Sequence, residues 1–151
     1  MTPPLHWSHF AFAQLSAPLL YAVLQLRSAV FVVEQACAFQ DMDGWDERAW
    51  HVCGMADGQL VAYARCFGPG VKYPEVSIGR VVVHSSARGA GWGRALMVQA
   101  MQMAQAKWGP QAIRLDAQAH LRAFYEGLGF VDLKQPFMEN DIAHIKMRRP
   151  A

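Results

Sequence analysis

The sequence predicts one mixed α/β or α+β domain over residues 1–151, with a sheet that has helices on both faces. Its composition is 53% hydrophobic and 17% charged over 151 residues, which is typical of a folded domain with a buried core. Strand-like and helix-like hydrophobic periods alternate along the chain. A glycine-rich turn within "RGAGWGRALM" (88–97) joins the two kinds of period near the middle.

The first half of the chain predicts one helix followed by strands. Residues 16–31 carry apolar side chains at helical spacing, with Ser16 as a candidate N-cap and Pro18 in the first turn. The segments that follow are a loop or short second helix (39–50), two strands (51–55 and 59–67) joined by the hairpin signal Ala56-Asp57-Gly58, and a third strand (75–84).

The second half predicts a long amphipathic helix and a strand–helix–strand succession. Apolar residues between Met97 and Trp108 recur at i, i+3, i+4, i+7 and i+11, so the helix covers 94–108 and ends at Gly109-Pro110. The remaining predicted elements are a buried strand (112–117), a short helix (120–129) and two strands (130–133 and 144–149).

Charge and composition argue against several classes of protein. The net charge of +2, from 14 basic and 12 acidic residues, gives no reason to expect nucleic-acid binding. The apolar run from Leu19 to Val33 is interrupted by polar residues, so no membrane span is expected. Three cysteines without a disulfide-like pattern and a first segment, "MTPPLHW", without signal-peptide features favour a cytoplasmic protein. The six histidines show no zinc spacing, and we expect no metal.

The glycine-rich turn has the properties of an anion-binding site. Glycine allows positive φ and a close approach of the backbone to a ligand. Consecutive N–H groups of such a turn, together with the N-terminus of the following helix, form a concavity that attracts phosphate. Arg88 and Arg94 flank the turn and add full positive charges. A loop whose glycines only reverse the chain is the alternative interpretation.

Spacing separates this turn from two familiar phosphate loops. The nucleotide-binding pattern GxxxxGK[ST] is absent because no lysine follows the glycines. The dinucleotide pattern GxGxxG fails because Arg94 occupies its sixth position when counted from Gly89. The pattern present is Arg88-x-x-Gly91-x-Gly93.

That pattern resembles the pyrophosphate loop [QR]-x-x-G-x-[GA] of the GNAT superfamily of acyl-CoA N-acyltransferases. The strand "IGRVVVH" precedes it, and "LDAQAHLRAFYEGLGF" is similar to the second signature of the superfamily. The blocks "LRSAVFVVEQACAFQDMDGWD" and "MENDIAHIKM" resemble the ElaA-like branch, so the likeness covers nearly the whole chain. It implies a central mixed, mostly antiparallel sheet flanked by helices.

The resemblance also implies a site for acetyl-CoA. The backbone of Val81, Val82 and Val83 falls where the superfamily pairs a strand with the pantetheine arm, and an N–H near Val81 is expected to polarise the thioester carbonyl. These valines are equally expected to pack in a buried strand. The other implied cofactor-binding residues are Arg88, Gly89, Ala90, Gly91, Trp92, Gly93, Arg94, Gln118 and Phe124. Gln118 stands where an asparagine is frequent.

Two residues are candidates for proton transfer. The resemblance places Tyr125 as the general acid that protonates the departing thiolate, although a packing aromatic beside Phe124 is the alternative. Glu75 lies thirteen residues before Arg88, where the histone acetyltransferase branch has a glutamate base. The rival bases are Glu34, His120, Glu139 and His144, and a water chain without a single base is a further alternative.

The loop after the first helix is rich in carboxylates. Asp41, Asp43, Asp46 and Glu47 either attract a cationic amine or act as solvated, capping residues. Calcium is rejected because Val52 occupies the twelfth place of the loop, where a bidentate glutamate is required. Cys37, Cys53 and Cys66 lack the surroundings of a nucleophile, so the resemblance implies direct transfer without an acyl-enzyme.

These observations predict an N-acetyltransferase that moves an acetyl group from acetyl-CoA to a primary amine. The acceptor, a small molecule or a peptide, is not identified, and the oligomeric state is open, a homodimer included. One alternative is a transferase for another acyl group. The other is a non-catalytic acyl-CoA-binding or sensing module, which would keep the glycine turn without the acid and base.

Overall fold

The structure, a computed structural model, describes residues 4–151 and is built around a seven-stranded sheet. The strands are β1 (His6–Ala11), β2 (Trp50–Ala56), β3 (Gln59–Phe67), β4 (Val76–Val83), β5 (Ile113–Gln118), β6 (Val131–Glu139) and β7 (Ile142–Arg149). The helices are α1 (Ala17–Arg27), which continues as π-helical turns over Ser28–Glu34, α2 (Trp92–Trp108) and α3 (Arg122–Glu126). Short 3-10 turns lie at Phe12–Gln14, Asp46–Arg48, Ser85–Ala87 and Ala119–Leu121.

The strand order is β1-β2-β3-β4-β5-β7-β6, and every neighbouring pair except β4–β5 is antiparallel. The predicted mixed, mostly antiparallel sheet flanked by helices is therefore confirmed. The hairpin turn at Ala56-Asp57-Gly58 also lies where the sequence indicates it, with φ of +49° at Asp57 and +76° at Gly58.

Two features of the N-terminal region differ from the sequence predictions. Strand β1 was not predicted, since "HWSHFA" alternates only weakly, and it forms by pairing with β2 from His6↔Met55 to Ala11↔Trp50. The predicted helix over 16–31 is present, but its last turns widen into a π-helix that extends to Glu34.

The sheet buries a separate core on each face, because successive strand residues point to opposite sides. On the face that carries α2 and α3, Ala62 and Ala64 of β3 pack with Leu96 and Met97. On the other face, Tyr63 and Val82 pack with residues of the α1 segment, namely Val23, Leu26 and Val30. We call these the α2 face and the α1 face.

A bulge in β4 opens the centre of the sheet. The register with β3 shifts between Tyr63↔Val82 and Arg65↔Gly79, so that one extra β4 residue is accommodated there, and Arg80 adopts φ +49°. A bulge bends its strand and increases the local twist. On its other side β4 pairs with β5 only at Val76↔Ile113 and Ser77↔Arg114, so the two strands diverge beyond that point and leave a cleft.

The helical segment Ala17–Glu34 has the length and apolarity of a membrane span, with a mean hydropathy of 1.4. In this fold it packs on the α1 face of the sheet. Arg27, in its middle, is fully buried and bonds to Asp41 and Asp46 of the following loop. The segment thus packs one side on the sheet, and its buried arginine is paired with carboxylates of the next loop.

Candidate active site

A cavity of about 910 Å³ fills the cleft between β4 and β5 and continues over the α1 face of β7. Tyr125 and nearly all of the predicted cofactor-binding residues line it. Those lining residues are Val81, Val82, Val83, Arg88, Gly89, Gly91, Trp92, Gly93, Arg94, Gln118, Phe124 and Tyr125. Two predicted site residues, Ala90 and Glu75, are not among the lining residues.

The glycine-rich turn leads from the end of β4 into α2. Gly89 and Gly91 have φ of +85° and +78°, a conformation that residues with side chains rarely adopt. A Cβ added at either position would meet nothing within 4 Å, so the turn is open to solvent or to a ligand. Gly91 is the N-cap of α2, and the first free N–H groups of a 17-residue helix therefore adjoin the cavity.

Both arginines of the turn have protein partners. Arg88 Nη1 donates to Glu34 Oε2 at 2.6 Å, and Arg88 Nε donates to the carbonyl of Val83 at 3.0 Å. Arg94 Nη1 lies 3.4 Å from the carbonyl of Gly127. The side chains of Arg88 and Glu34 are each 42% exposed, so their ion pair is open to competition from another anion.

The exposed edge of β4 forms one wall of the cleft. Val81 and Val83 are half-buried and line the cavity, whereas Val82 packs in the core of the α1 face. Beyond Ser77 the edge of β4 that faces β5 has no ladder partner, so the backbone of Val81 lacks a strand partner there. The carbonyl of Val83 already accepts from Arg88 Nε.

Tyr125 closes the cleft from the α2 face. It is 6% exposed and lies edge-on to Phe124 and Phe130, with ring centroids 5.0 and 6.0 Å away. Burial raises the pKa of the Tyr125 phenol to about 12. Phe124 also approaches the turn, since a Cβ on Gly93 would lie 3.7 Å from its ring. The phenol thus stays protonated at neutral pH on the wall of the cavity.

The end of the π-helical turns and the residues after it contact the glycine turn, β5 and the end of β6 around the cavity. Glu34 binds Arg88 of the turn, and the side chain of Gln118 on β5 donates to Gln35 Oε1 at 3.2 Å. Cys37 Sγ lies 3.1 Å from the carbonyl oxygen of Asn140, which follows β6. This segment, residues 34–37, therefore borders both ends of the cavity.

The carboxylates of the loop after α1 bind three arginines. Arg27 contacts Asp41 and Asp46 at 2.9 and 2.7 Å, Arg65 contacts Asp43 and Asp46 at 2.8 and 3.0 Å, and Arg80 contacts Asp41 at 2.8 Å. Neither sequence interpretation, a cation-attracting loop or a solvated one, describes these three aspartates. Sequence reasoning did not single out the arginines, although each interrupts an apolar helix or strand.

Two buried groups support this ion cluster. His51 Nε2 lies 2.9 Å from the Asp46 carbonyl, and His51 Nδ1 lies 2.6 Å from the Tyr63 hydroxyl. Burial, together with the charges of Arg27 and Arg65, lowers the pKa of His51. Burial raises the pKa of Asp46, but hydrogen bonds and charges from Arg27 and Arg65 outweigh it and lower that pKa overall.

The far end of the cavity is lined mostly by polar side chains of β5, β6, β7 and the β3–β4 connection. The Tyr73 hydroxyl donates to Asp116 Oδ2 at 3.1 Å, and Glu139 Oε2 lies 3.7 Å from His144 Nε2. Lys72 also lines this end; burial and the charge of Arg65 lower the pKa of its ammonium group.

Glu75 lies away from the cavity, at the start of β4. Its Oε2 pairs with Arg148 Nε at 3.3 Å, on the side of the sheet junction where β4 still contacts β5. Spacing along the chain suggested Glu75 as a base, but β4 and β5 diverge only beyond Ser77, which follows Glu75 in the chain. Its carboxylate is therefore not positioned with the cavity-lining groups.

Two of the thiols, Cys53 and Cys66, are buried outside the lining of the cavity, and the third, Cys37, lines it. Burial raises the pKa of both Cys53 and Cys66 to about 12, and Cys37 directs its sulfur to a backbone carbonyl. Among residues 4–151, no group of three or more His, Cys, Asp or Glu side chains is placed to hold a metal ion.

The chain that builds this site also matches a known family. Residues 23–150 match the family model described as an acetyltransferase (GNAT) domain. The chain belongs to the GNAT family. The match contains β2 to β7 and all three α-helices except the first turns of α1.

Relatives of this GNAT chain agree with the resemblance seen in the sequence. It is 40% identical to protein ElaA of Escherichia coli over 147 residues, which is 96% of each chain. It is also 40% identical to a UPF0039 protein of a Synechocystis strain, covering 95% of this chain and 94% of that one. The predicted ElaA-like character is confirmed.

Solved GNAT structures have the same fold. An acyl-CoA N-acyltransferase from Pseudomonas aeruginosa superposes with a TM-score of 0.92 at 46% identity, covering 96% of this chain and 99% of that one. Escherichia coli ElaA superposes with a TM-score of 0.89 at 39% identity, with the same coverage. An aminoglycoside 6'-N-acetyltransferase complexed with coenzyme A shares the fold alone, at 17% identity and a TM-score of 0.73. The predicted class of enzyme, an acyl-CoA-dependent acyltransferase, is thereby supported.

Proposed function

We propose that this protein transfers the acetyl group of acetyl-CoA to a primary amine by direct attack of the amine on the thioester. The cleft between β4 and β5 carries this proposal, because one continuous cavity contains the glycine turn, the exposed edge of β4 and the buried phenol of Tyr125. The solved relative described as an acyl-CoA N-acyltransferase supports an acyl-CoA as the donor.

The pyrophosphate of acetyl-CoA binds at the glycine turn in this proposal. Gly89 and Gly91 present backbone N–H groups without side-chain obstruction, and the N-terminus of α2 contributes a partial positive charge. Arg88 and Arg94 supply the full charges. Arg88 must leave Glu34 or share its guanidinium with the phosphate, since Glu34 occupies one of its donors.

The pantetheine arm lies along β4 in this proposal. Its amides pair with the backbone of Val81, Val82 and Val83, whose outer edge lacks a strand partner because β5 has diverged. The backbone N–H near Val81, beside the bulge at Arg80, polarises the thioester carbonyl. Gln118 contacts the arm from the opposite wall if it exchanges its partner Gln35 for the cofactor.

Tyr125 is the proposed general acid. The amine nitrogen forms a bond to the carbonyl carbon, the C–S bond breaks, and the phenol gives its proton to the thiolate. The phenol then recovers a proton from the nitrogen of the new amide. Because burial raises the Tyr125 pKa to about 12, while a thiol has a pKa of about 8.5, alignment with the sulfur must compensate for an unfavourable proton affinity.

No acyl-enzyme is included in this mechanism. Cys53 and Cys66 are buried with pKa values raised to about 12, which keeps them as unreactive thiols near neutral pH. Their reduced state fits a reducing compartment, and we propose a cytoplasmic location.

Two alternatives keep the cofactor site and change the reaction. A longer acyl group is one, since the cavity extends well beyond the volume of an acetyl group. A non-catalytic acyl-CoA sensor is the other, and the buried phenol of Tyr125 at the cavity wall favours the enzyme over it.

The deciding experiment measures CoA release over a panel of primary amines, with acetyl-CoA, propionyl-CoA and a longer acyl-CoA as donors. We expect amine-dependent release that is fastest with acetyl-CoA, and the Gly91→Asp variant serves as the inactive control. Tight acyl-CoA binding without release for any amine would favour the sensor. Faster turnover of a longer acyl-CoA would replace the acetyl assignment.

A further inference from the structure

We propose that His144 is the general base that deprotonates the acceptor amine, with Glu139 stabilising the imidazolium it becomes. This inference rests on the proposed N-acetyl transfer and supplies the base that Glu75 is not placed to provide. Four observations carry it: the register of the strands, the continuity of the cavity, the tautomer of the ring and the position of the carboxylate.

Strand register places His144 level with the reacting group. Ser77 of β4 lies opposite Arg114 of β5. Four residues further along each strand, Val81 and Gln118 therefore lie at the same height on the two walls of the cleft. The bulge in β4 shifts this alignment by at most one residue. Gln118 pairs in turn with His144 on β7. Neighbouring strands are about 4.8 Å apart, so His144 is one strand beyond the wall of the cleft at the height of the proposed thioester.

His144 also projects to the open side of the sheet. Directly opposite residues share a face, and the side chain of Gln118 reaches Gln35 on the α1 face. No helix covers β5, β7 and β6 on this face in residues 4–151; the cavity extends over them and includes His144 and Glu139 in its lining. An amine bound in the cavity therefore has access to both side chains.

Hydrogen bonding determines which ring nitrogen is basic. His144 Nδ1 lies 2.7 Å from the carbonyl oxygen of Ile142. A carbonyl oxygen only accepts hydrogen bonds, so Nδ1 carries the proton and Nε2 of the neutral ring keeps its lone pair. The ring is held in this orientation by stacking on Phe137, with centroids 5.3 Å apart and planes 27° from parallel.

The carboxylate of Glu139 is the charged group that lies beside Nε2. Glu139 Oε2 on β6 lies 3.7 Å from Nε2, too far for a hydrogen bond to the neutral ring but suited to an ion pair with the imidazolium. Asp116 of β5 shares this face and lies 4.0 Å from Arg114 Nη2, while Arg148 pairs with Glu75. Lys146 of β7 lies 5.9 Å from the centre of the Phe137 ring, and Lys72 lines the same end of the cavity. The segment that crosses this face contributes the uncharged Gln35. Glu139 is the carboxylate placed to pair with the imidazolium.

The proton balance of the proposed step is complete. An ammonium acceptor loses one proton to His144 Nε2 and attacks as a neutral amine. The second proton lost from its nitrogen replaces the one that Tyr125 gives to the thiolate. The products are the amide, CoA with its thiol protonated, and one proton that His144 releases to solvent.

The other candidate bases are less well placed. Glu34 is bonded to Arg88, and Glu75 pairs with Arg148 outside the cavity. His120 also lines the cavity, but it is exposed in the turn before α3, whereas the ring of His144 is oriented by Ile142 and Phe137.

The kinetic test compares His144→Gln with wild type over a range of pH, using acetyl-CoA and the amine with the highest turnover in the CoA-release screen. At pH 7 we expect kcat/KM for the amine to fall by about 10²–10⁴, with the KM for acetyl-CoA unchanged. The deficit should shrink below about tenfold once the pH exceeds the pKa of the amine, because the base is then no longer required. Glu139→Gln should cost less than His144→Gln.

The matched control is His6→Gln, on an exposed position of β1, which should leave every parameter unchanged. A deficit of equal size at all pH values, or weaker binding of acetyl-CoA, would mean that His144 has a structural role. Nitrogen-15 NMR of the enzyme without substrate gives a second readout, for which we expect the Nδ1–H tautomer; an Nε2–H tautomer would overturn the proposal. If wild type releases no CoA with any amine, the proposed reaction is wrong, and the tautomer still tests the ring geometry separately.

Discussion

The two ends of the cleft differ in whether backbone groups or side chains form most of their surface. The end near the glycine turn consists of backbone: two glycines with positive φ, the free edge of β4 and the first N–H groups of α2. The end over β5, β7 and β6 consists of side chains, among them Tyr73, Asp116 and His144. A site made of backbone groups requires small residues within one short segment. A site made of side chains requires particular residues from distant segments to lie close together.

This difference explains why the end near the glycine turn has a short local pattern in the sequence, whereas the end over β5, β7 and β6 has none. Arg88-x-x-Gly91-x-Gly93 lies within six residues, so its spacing is readable along the chain. Glu139 and His144 lie on the two strands of a hairpin, and only the pairing of β7 with β5 brings them near the proposed thioester position. Mutations at the two ends should therefore affect binding and chemistry differently.

The largest expected effect is at the backbone end. Gly91→Asp or Gly93→Asp should abolish binding of acetyl-CoA, because each places a negative charge in the proposed phosphate site and Asp at position 91 must also adopt φ near +78°. The fold should survive, since a Cβ at Gly91 meets no atom within 4 Å. Calorimetric titration measures the binding. Near-normal affinity in folded variants would remove the phosphates from this turn.

The next effect concerns the phenol at the centre of the cleft. Tyr125→Phe should lower kcat by about 10²–10⁴ and leave the dissociation constant of acetyl-CoA close to that of wild type. Because the pKa of Tyr125 is raised to about 12, the phenol should produce no basic limb in the pH profile of kcat below that value. Pre-steady-state and steady-state kinetics test both points, with thermal unfolding as the control for folding. Wild-type turnover under chemistry-limited conditions would leave solvent as the proton donor.

Acidification should destabilise the buried cluster of Arg27, Arg65, Asp46 and His51 in two stages. Burial lowers the pKa of His51 below its ordinary 6.5, and the arginines lower that of Asp46 below 3.8. In each case the unfolded chain binds more protons than the folded one below the ordinary value, so the free energy of unfolding falls as the pH falls. The slope is at most about 1.4 kcal/mol per pH unit for each group.

Urea unfolding between pH 8 and pH 3 measures these two stages. His51→Gln should lose the stage that begins below about pH 6.5 and keep the stage that begins below about pH 4. An unchanged pH dependence in that variant would assign the first stage to another group.

The smallest expected effect distinguishes the charge of Arg88 from the backbone groups of the glycine turn. Arg88→Ala should weaken acetyl-CoA binding by about 1–3 kcal/mol while leaving a pantetheine thioester, which has no pyrophosphate, unaffected. Glu34→Gln should act in the opposite direction, because it releases the guanidinium that Glu34 now binds at 2.6 Å. Equal losses for both thioesters in Arg88→Ala would show that the arginine positions the end of β4 through the carbonyl of Val83.

The sequence by itself determined most of the helices and strands and the position of the glycine turn. The hairpin at Ala56-Asp57-Gly58, the helix ended by Gly109 and the turn at Gly89–Gly93 all depend on local φ preferences and on hydrophobic periods within one segment. Such signals need no knowledge of the partner segments. The family resemblance follows from the same short, contiguous blocks.

Only the tertiary structure decided what the charged residues do. It placed Glu75 with Arg148 outside the cleft, joined Asp41 to Arg27 and Arg80, and brought His144 level with Val81. Coulomb and hydrogen-bond energies depend on distances of a few ångströms, and these distances are set by strand register, by the bulge at Arg80 and by the divergence of β4 from β5. Spacing along the chain carries no information about them, because residues that are dozens of positions apart become neighbours only when the sheet forms.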